Sequence, residues 1–313
     1  MSILQISLFG HVCITDDHGA VMPNVTRTTQ ALLAYLLLIP HRSQPRDVLA
    51  DVFWGDRSQE RARSCLKTAL WRLRCVLEPA GTPLGTYLIT TPNGDIGFNW
   101  QSSHWLDVTA FEKATQHIPT QTTDGMQLED VRDLEAAVNL YTGELLEGFY
   151  DDWALRERER LRHVYLNTLA YLMRFYRRQG AYEKALENGR KILDLDPLRE
   201  EIHREMMQLY VETGQRALAI QQYAVCRDLL NQELGILPME ETQALYAQVA
   251  PASDRLQTAT VGAITSPYVR HVLQQLRSTL RNLDRAHDQL QQTIQLMEKL
   301  DGHAESSDRR SQW

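Results

Sequence analysis

The sequence predicts a mainly α-helical protein in three parts. An α+β N-terminal domain covers residues 1–100, an all-α repeat domain covers 101–250, and a long helix follows a linker. Three observations support this division: strand and helix signals alternate early in the chain, a 34-residue pattern repeats in the middle, and a seven-residue apolar repeat runs near the C-terminus. With 313 residues the chain can form two domains of ordinary size.

The first residues predict a strand, and two helices follow it. Apolar side chains alternate from Leu4 to Ile14 and lead into a turn-like stretch at 16–19, which together predict a hairpin. Helical spacing then predicts a helix over 27–39, which ends at a proline. A second short helix is expected over 46–54, between a proline that starts it and a glycine that ends it.

A third helix and a second hairpin complete the N-terminal domain. The helix is predicted over 58–78, before a proline and a glycine. Two β-rich runs within 87–100 flank Asn93-Gly94, which is a strong signal for a tight hairpin. Strands, three helices and a terminal hairpin in this order predict a winged helix-turn-helix.

The third helix has one apolar face and one basic, polar face. The spacing predicts a buried row made of Leu66, Ala69, Leu70, Leu73, Val76 and Leu77. On the opposite side lie Ser64, Thr68, Trp71 and Cys75, flanked by Arg61, Arg63, Lys67, Arg72 and Arg74. Cations suit phosphates and short polar side chains suit base edges, so this face predicts docking in the DNA major groove. A solvated helix face is the alternative.

The expected roles differ along this helix. Lys67, Arg72 and Arg74 are the main candidates for phosphate or base contacts. The other DNA-binding candidates are Arg61, Arg63 and Arg46, with Ser64 and Thr68 as base readers. Trp71 is predicted either to contact DNA or to pack against the wing or a neighbour. No Lys or Arg lies between Arg74 and Lys113, so the wing is expected to touch the DNA backbone only, through amides or Asn93.

The middle of the chain contains an internal repeat. Residues 172, 176, 180 and 185 recur 34 positions later, as Leu172/Met206, Tyr176/Tyr210, Gly180/Gly214 and Ala185/Ala219. This period predicts tetratricopeptide-like helix pairs. Further helices are predicted over 106–118, 129–141 and 153–179. The many acidic residues here are interpreted as solvated faces and helix N-terminal charges, and His163 and His203 as surface or packing residues.

Composition and motifs exclude several functional classes. The chain lacks the glycine-rich phosphate loops, the H-E-x-x-H zinc motif and the G-x-S-x-G nucleophile elbow. We therefore expect no enzyme, no cofactor and no metal site. The four cysteines have no C-x-x-C spacing and are expected to be reduced. No secretory signal or membrane span is predicted, so a cytoplasmic protein without a membrane partner is expected.

The C-terminal part predicts a linker and a coiled coil. Residues 251–266 are rich in small and polar residues, which is typical of a linker. Apolar residues then follow a heptad pattern over 267–300, and 301–313 are expected to be disordered. The pattern favours a homodimer over docking on the body, with His287 as a register or pH-sensitive position. The seam residues are Val269, Leu273, Leu276, Leu280, Leu283, His287, Leu290, Ile294 and Met297.

Several short motifs over about residues 1–250 resemble those of one known protein family. The N-terminal motifs are Leu8-Phe9-Gly10, residues 30–36, 46–49 and 53–56, and Ala69-Leu-Trp-Arg-Leu-Arg74. The later motifs are Leu106-Asp107, Phe111-Glu112, residues 141–148, Trp153, residues 157–160, Asp196-Pro-Leu-Arg199, Leu234-Gly235 and Pro238. Together these motifs resemble the Streptomyces antibiotic regulatory protein (SARP) family, in which an OmpR-type winged helix precedes a bacterial transcriptional activator domain.

The resemblance implies a transcriptional activator that binds direct repeats in promoter DNA and contacts RNA polymerase and its sigma subunit. The alternative is a tetratricopeptide-type adaptor or ligand sensor, in which the winged helix docks protein rather than DNA. Salt-dependent, specific DNA affinity distinguishes the two, because the adaptor would lack it. A small-molecule effector is compatible with either hypothesis, although the sequence identifies no pocket for one.

Overall fold

A computed structural model describes residues 3–16, 19–20, 25–39, 43–116 and 128–250. The first of the two units of the chain is Met1–Val249. The predicted linker, heptad helix and tail, with all nine seam residues, lie outside the described residues. The first unit is mainly helical, and it carries a small sheet near its N-terminus.

The N-terminal sheet has the strand order β3-β2-β1-β6. The strands are β1 (Leu4–Ser7), β2 (Cys13–Asp16), β3 (Gly19–Ala20) and β6 (His104–Leu106). Strands β1 and β2 form an antiparallel hairpin that turns between Ser7 and Cys13. The strand predicted over Leu4–Ile14 is therefore two strands, and the turn predicted at 16–19 falls where Asp16 of β2 pairs with Gly19 of β3. Strand β6 pairs with β1 in parallel. The helix predicted to begin at Leu106 therefore begins one residue later, because Leu106 is paired with Ile6 in the sheet.

Three helices follow β3 in the predicted order. They are α1 (Arg27–Leu38), α2 (Arg46–Trp54) and α3 (Gln59–Leu77). The apolar row predicted for α3 is buried, apart from Val76, which is half-buried. Ala62 extends the row by one turn towards the N-terminus, so nearly the whole length of α3 is anchored.

The second hairpin is the predicted wing. Strand β4 (Leu88–Thr90) pairs antiparallel with β5 (Ile96–Phe98), and Gly94 in the connecting loop has a positive φ of 87°. Glu78, directly after α3, accepts hydrogen bonds from the backbone N–H groups of Tyr87 and Leu88. Gln44, before α2, pairs with Ile96. The wing is thus held at both sides by the residues that flank the helices.

The remaining helices form the repeat part of the unit. They are α4 (Asp107–Thr115), α5 (Leu128–Leu140), α6 (Asp152–Arg178), α7 (Tyr182–Leu195), α8 (Glu200–Glu212), α9 (Arg216–Leu234) and α10 (Glu240–Val249). Gly180 and Gly214 follow α6 and α8 with φ of 72° and 73°. Ala185 and Ala219 are fully buried. Both 34-residue units thus turn between their helices in the same way, as the repeat predicts.

One buried carboxylate joins the sheet to the helical part. Asp107, at the start of α4, accepts hydrogen bonds from the backbone N–H groups of Leu8 at 2.7 Å and Phe9 at 2.9 Å. Its second oxygen accepts from the N–H of Val108. Burial raises the pKa of Asp107, although these donors oppose the change. Three N–H groups therefore depend on a single side chain.

The winged helix and the helical part also share an aromatic contact. The Trp153 ring on α6 lies 5.2 Å from the Tyr35 ring on α1 and 6.1 Å from the Phe53 ring on α2, centroid to centroid. These distances and edge-on angles are typical of stabilising aromatic pairs. The helices that position α3 are thus packed directly against the first long helix of the repeat part.

Candidate nucleic-acid interface

The outer face of α3 is open to solvent along its length. Ser64, Thr68, Trp71 and Cys75 are all exposed. The Trp71 side chain is the most prominent of these, at 64% exposure. The indole is therefore not buried against the wing within the described residues, and its contact with DNA stays a prediction. A large exposed aromatic residue is unusual on a helix whose opposite face is buried along nearly its whole length.

The cations of α3 lie on two flanks of this face. At about 100° per residue, Arg63, Lys67 and Arg74 project on one side of Ser64, and Arg61 and Arg72 project on the other. Lys67, Arg61 and Arg72 are exposed, and among the described residues no hydrogen bond or ion pair engages their side chains. Three cations on two flanks are therefore available to an anionic ligand.

Arg63 is held by a carboxylate on the neighbouring helix. Its Nε and Nη2 donate hydrogen bonds of 2.7 and 3.0 Å to the two carboxylate oxygens of Asp47, in the first turn of α2. The hydrogen bond from Arg63 lowers the pKa of Asp47, and the same bond raises the pKa of Arg63. The pair is therefore ionised at neutral pH, with a two-point geometry that fixes the guanidinium plane.

Two further cations reach the wing, although the wing sequence contains none. Arg74 of α3 donates from Nη2 to Thr90 Oγ1 on β4 at 2.9 Å. Arg46, the first residue of α2, donates from Nε to the carbonyl oxygen of Gly94 at 3.0 Å. The wing predicted to lack a cation therefore has one beside its strand and another beside its loop, both supplied by the helices.

The hydroxyl groups of Thr68 and Ser64 on α3 differ in their hydrogen bonds. Thr68 Oγ1 donates to the backbone carbonyl of Ser64 at 3.0 Å, one turn earlier. This bond orients the threonine side chain and leaves its oxygen able to accept a hydrogen bond. Within the described ranges Ser64 makes no side-chain hydrogen bond. The two candidate base readers thus differ, because Thr68 is partly fixed and Ser64 is free to rotate.

Sequence reasoning missed Asp47, Thr90 and Gly94 as partners of the predicted site residues. Each lies 16 or 48 positions from the arginine that it binds. Local spacing carries no signal for contacts at such separations. The motif that begins at Arg46-Asp47 does place a cation and an acid side by side at the start of α2, and this was the one visible hint.

The described residues of the helical part contain no group of side chains suited to bind a metal ion. In the described residues no group of three or more His, Cys, Asp or Glu is suited to hold a metal ion. His203 is buried, with Nε2 2.9 Å from the Pro197 carbonyl oxygen and Nδ1 2.6 Å from Gln222 Nε2. It is a packing residue, as expected, and His163 is an exposed residue on α6 beside Glu159.

Among the described residues no helix is long and apolar enough to span a bilayer.

Residues 106–250 match the family model of the bacterial transcriptional activator domain. We call this region the activator domain, after the family model that it matches. It comprises α4 to α10 and the last residue of β6. The resemblance to the SARP family is confirmed by this match and by the relatives described next.

The activator domain and the winged helix together resemble named regulators. The chain is 29% identical over 84% of its length to the regulatory protein AfsR of Streptomyces coelicolor, but covers only 26% of AfsR. It is 26% identical over 79% of its length to the transcriptional regulatory protein MoaR1 of Mycobacterium tuberculosis, and covers 80% of MoaR1. Both relatives have the names of regulatory proteins, in agreement with the prediction that the chain is not an enzyme.

A solved structure has the same fold. It is that of Mycobacterium tuberculosis EmbR in complex with a low-affinity phosphopeptide, with a TM-score of 0.64 and 20% sequence identity. The match covers 83% of this chain and 69% of the EmbR chain. The combination of winged helix and activator domain is thus an arrangement already seen in a solved protein.

Proposed function

We propose that this protein is a transcriptional activator that binds repeated sequences in promoter DNA through α3 and the wing. The observation that carries the proposal is the outer face of α3, where exposed Ser64, Thr68 and Trp71 lie between two flanks of cations. A helix of this kind fits the major groove, because cations on both flanks meet the phosphates on both sides of it. The names of the regulatory relatives support the same role.

In this docking mode the wing follows the DNA backbone. Arg46 uses only Nε for the Gly94 carbonyl, and Arg74 uses only Nη2 for Thr90. Each guanidinium therefore retains N–H groups for a phosphate. Lys67, Arg61 and Arg72 supply the remaining phosphate contacts along the groove. The proposal replaces the expectation that the wing contacts DNA only through amides or Asn93.

The activator domain is proposed to contact RNA polymerase and its sigma subunit, as the SARP resemblance implies. The close packing of Trp153 against α1 and α2 supports a fixed placement of this domain next to bound DNA. The heptad pattern of residues 269–297 supports a homodimer, which would match two repeats in a promoter. Such a regulator works in the bacterial cytoplasm, where the DNA lies.

The test is selection of genomic fragments by the purified protein at near-physiological salt. A Lys67→Ala, Arg72→Ala double variant is compared with the parent, because these exposed side chains make no hydrogen bond or ion pair within the described residues and their loss should leave the fold intact. The matched control is Arg156→Ala, Arg190→Ala, which removes two exposed cations from the helical part.

Repeated sites enriched by the parent and the control, but not by the α3 variant, would support promoter recognition through this helix. If the parent enriches no site and shows no salt-dependent affinity for DNA, the proposal is wrong. If all three proteins enrich the same sites equally well, DNA binding lies elsewhere on the chain.

A further inference from the structure

The bond pattern between Arg63 and Asp47 leaves one edge of the guanidinium open. The contact to Asp47 uses Nε and Nη2, which form the side edge of the group. The end edge consists of Nη1 and the second N–H of Nη2, and within the described residues no hydrogen bond engages Nη1. Two parallel N–H donors therefore have no partner among the described residues, on an arginine whose plane is already fixed.

This ion pair contributes little to folding. The Arg63 and Asp47 side chains are 53% and 58% exposed, and exposed pairs of this kind are weak because water screens them. Helices α2 and α3 are held together by buried apolar residues, among them Leu49 and Leu66. The main consequence of the pair is that it restricts the orientation of Arg63.

Arg63 also lies in the right part of the surface for base recognition. It precedes Lys67 by one helical turn on the same flank of α3, and this flank lies beside the outer face whose centre holds the exposed Ser64. Two parallel N–H donors match the O6 and N7 acceptors that guanine alone presents side by side in the major groove. An arginine oriented in advance loses less rotational freedom on forming this contact.

We propose that Arg63 reads a guanine through O6 and N7 in the major groove of the DNA repeat, and that Asp47 is the positioning residue that orients it. This inference rests on the proposed function, because it requires α3 to enter the groove. The ligand is then a DNA duplex with a guanine at one defined position of each repeat. Lys67 then supplies phosphate affinity, and Arg63 supplies discrimination between bases.

The experiment uses the full chain and a selected duplex in which guanines are replaced one at a time. The analogue 7-deazaguanine lacks N7, whereas hypoxanthine retains both O6 and N7 and differs only in the minor groove. With the parent protein, 7-deazaguanine should weaken binding about fivefold or more at one position per repeat. Hypoxanthine at that position should have little effect.

Two variants separate reading from positioning. With Arg63→Ala, which removes the paired donors, the penalty for 7-deazaguanine at that position should disappear. With Asp47→Asn the penalty should shrink, while the melting temperature of the protein stays close to that of the parent. The control is Asp51→Asn, which removes an exposed acid one turn further along α2 and should leave the penalty unchanged.

Several results would overturn the inference. The first is a parent protein that tolerates 7-deazaguanine at every position of a duplex that it binds well. The second is an Asp47→Asn variant that binds all duplexes more tightly by one common factor, since the acid would then merely reduce the positive charge. Complete lack of salt-dependent DNA binding by the parent would instead overturn the proposed function, and the guanine contact with it.

Discussion

Arg46 Nε lies 3.0 Å from the carbonyl oxygen of Gly94, so the first residue of the second helix is bonded to the loop of the wing. The wing sequence has no cation of its own, and this bond supplies one at its tip. It also ties the wing loop to the helix that packs against α3. The helix-turn-helix and the wing are therefore joined by a side-chain hydrogen bond and form one continuous surface.

We predict that Arg46→Ala weakens binding to all DNA sequences by a similar factor. The reason is that a cation beside the wing loop meets the phosphate backbone and not the base edges. The slope of log affinity against log salt should fall by about 1, as expected for one lost phosphate contact. The measurement is a salt titration of duplex binding, with Arg156→Ala as a control that retains the slope of the parent.

A different outcome for Arg46→Ala would contradict this prediction. If Arg46→Ala changes which sequences are selected but leaves the salt slope as it is, Arg46 reads bases. The predicted role at the DNA backbone would then be wrong. The corresponding prediction for Lys67→Ala is the same fall in slope, and an unchanged slope would remove Lys67 from the phosphate contacts.

We predict that bound DNA protects Cys75 from alkylation. Cys75 is exposed on the outer face of α3, whereas Cys13 is exposed on β2 and Cys226 is buried. Burial raises the pKa of the Cys226 thiol to about 12, so this thiol should not react in the folded protein. Brief treatment with iodoacetamide, followed by mass spectrometry, should show Cys75 labelling fall when a selected duplex is added.

Cys13 is the internal control for this experiment, because its labelling should stay constant with and without DNA. Equal labelling of Cys75 at saturating DNA would mean that the C-terminal half of α3 stays outside the groove. Rapid labelling of Cys226 would indicate instead that the protein had unfolded during the reaction.

Sequence periodicity predicted the elements of this fold well because each depends on local spacing. The limits of α2 and the buried row of α3 follow from apolar residues at helical intervals and from flanking prolines and glycines. The conformation shared by Gly180 and Gly214 follows from the 34-residue repeat. These features need no knowledge of distant contacts, and the structure has them where they were expected.

The details of the candidate site depend on tertiary contacts instead. The row of cations on α3 was visible from spacing, but the partners Asp47 and Gly94 were not, because packing of α2 and the wing decides them. Leu106 is a similar case. Its apolar neighbours suggested a helix, yet pairing with β1 makes it the end of a strand.

We predict that Asp107→Ala destabilises the protein by about 2–4 kcal/mol, because it removes the acceptor for the buried N–H groups of Leu8 and Phe9. Asp107→Asn should cost less, since an amide retains one acceptor oxygen. Urea unfolding measures both changes, and Asp194→Ala at an exposed position is the control. A change below about 0.5 kcal/mol for Asp107→Ala would show that other groups or water satisfy these donors.

We predict that His203 makes the protein less stable at acidic pH. Burial lowers the pKa of His203 below its ordinary value of 6.5, and the unfolded chain binds a proton more readily than the folded one. The stability that neutral His203 provides is present above about pH 6.5 and is lost as the pH falls through the folded pKa. Protonation would also place a donor at Nδ1, which now faces the amide of Gln222.

The check is the free energy of unfolding in urea at about pH 7.5 and about pH 5.5. The difference between the two values should be smaller in His203→Gln than in the parent, because glutamine does not titrate in this range. The matched control is His163→Gln on the exposed face of α6, which should retain the difference of the parent. If His203→Gln retains it too, the loss of stability in acid comes from carboxylates elsewhere in the protein, and His203 has no part in it.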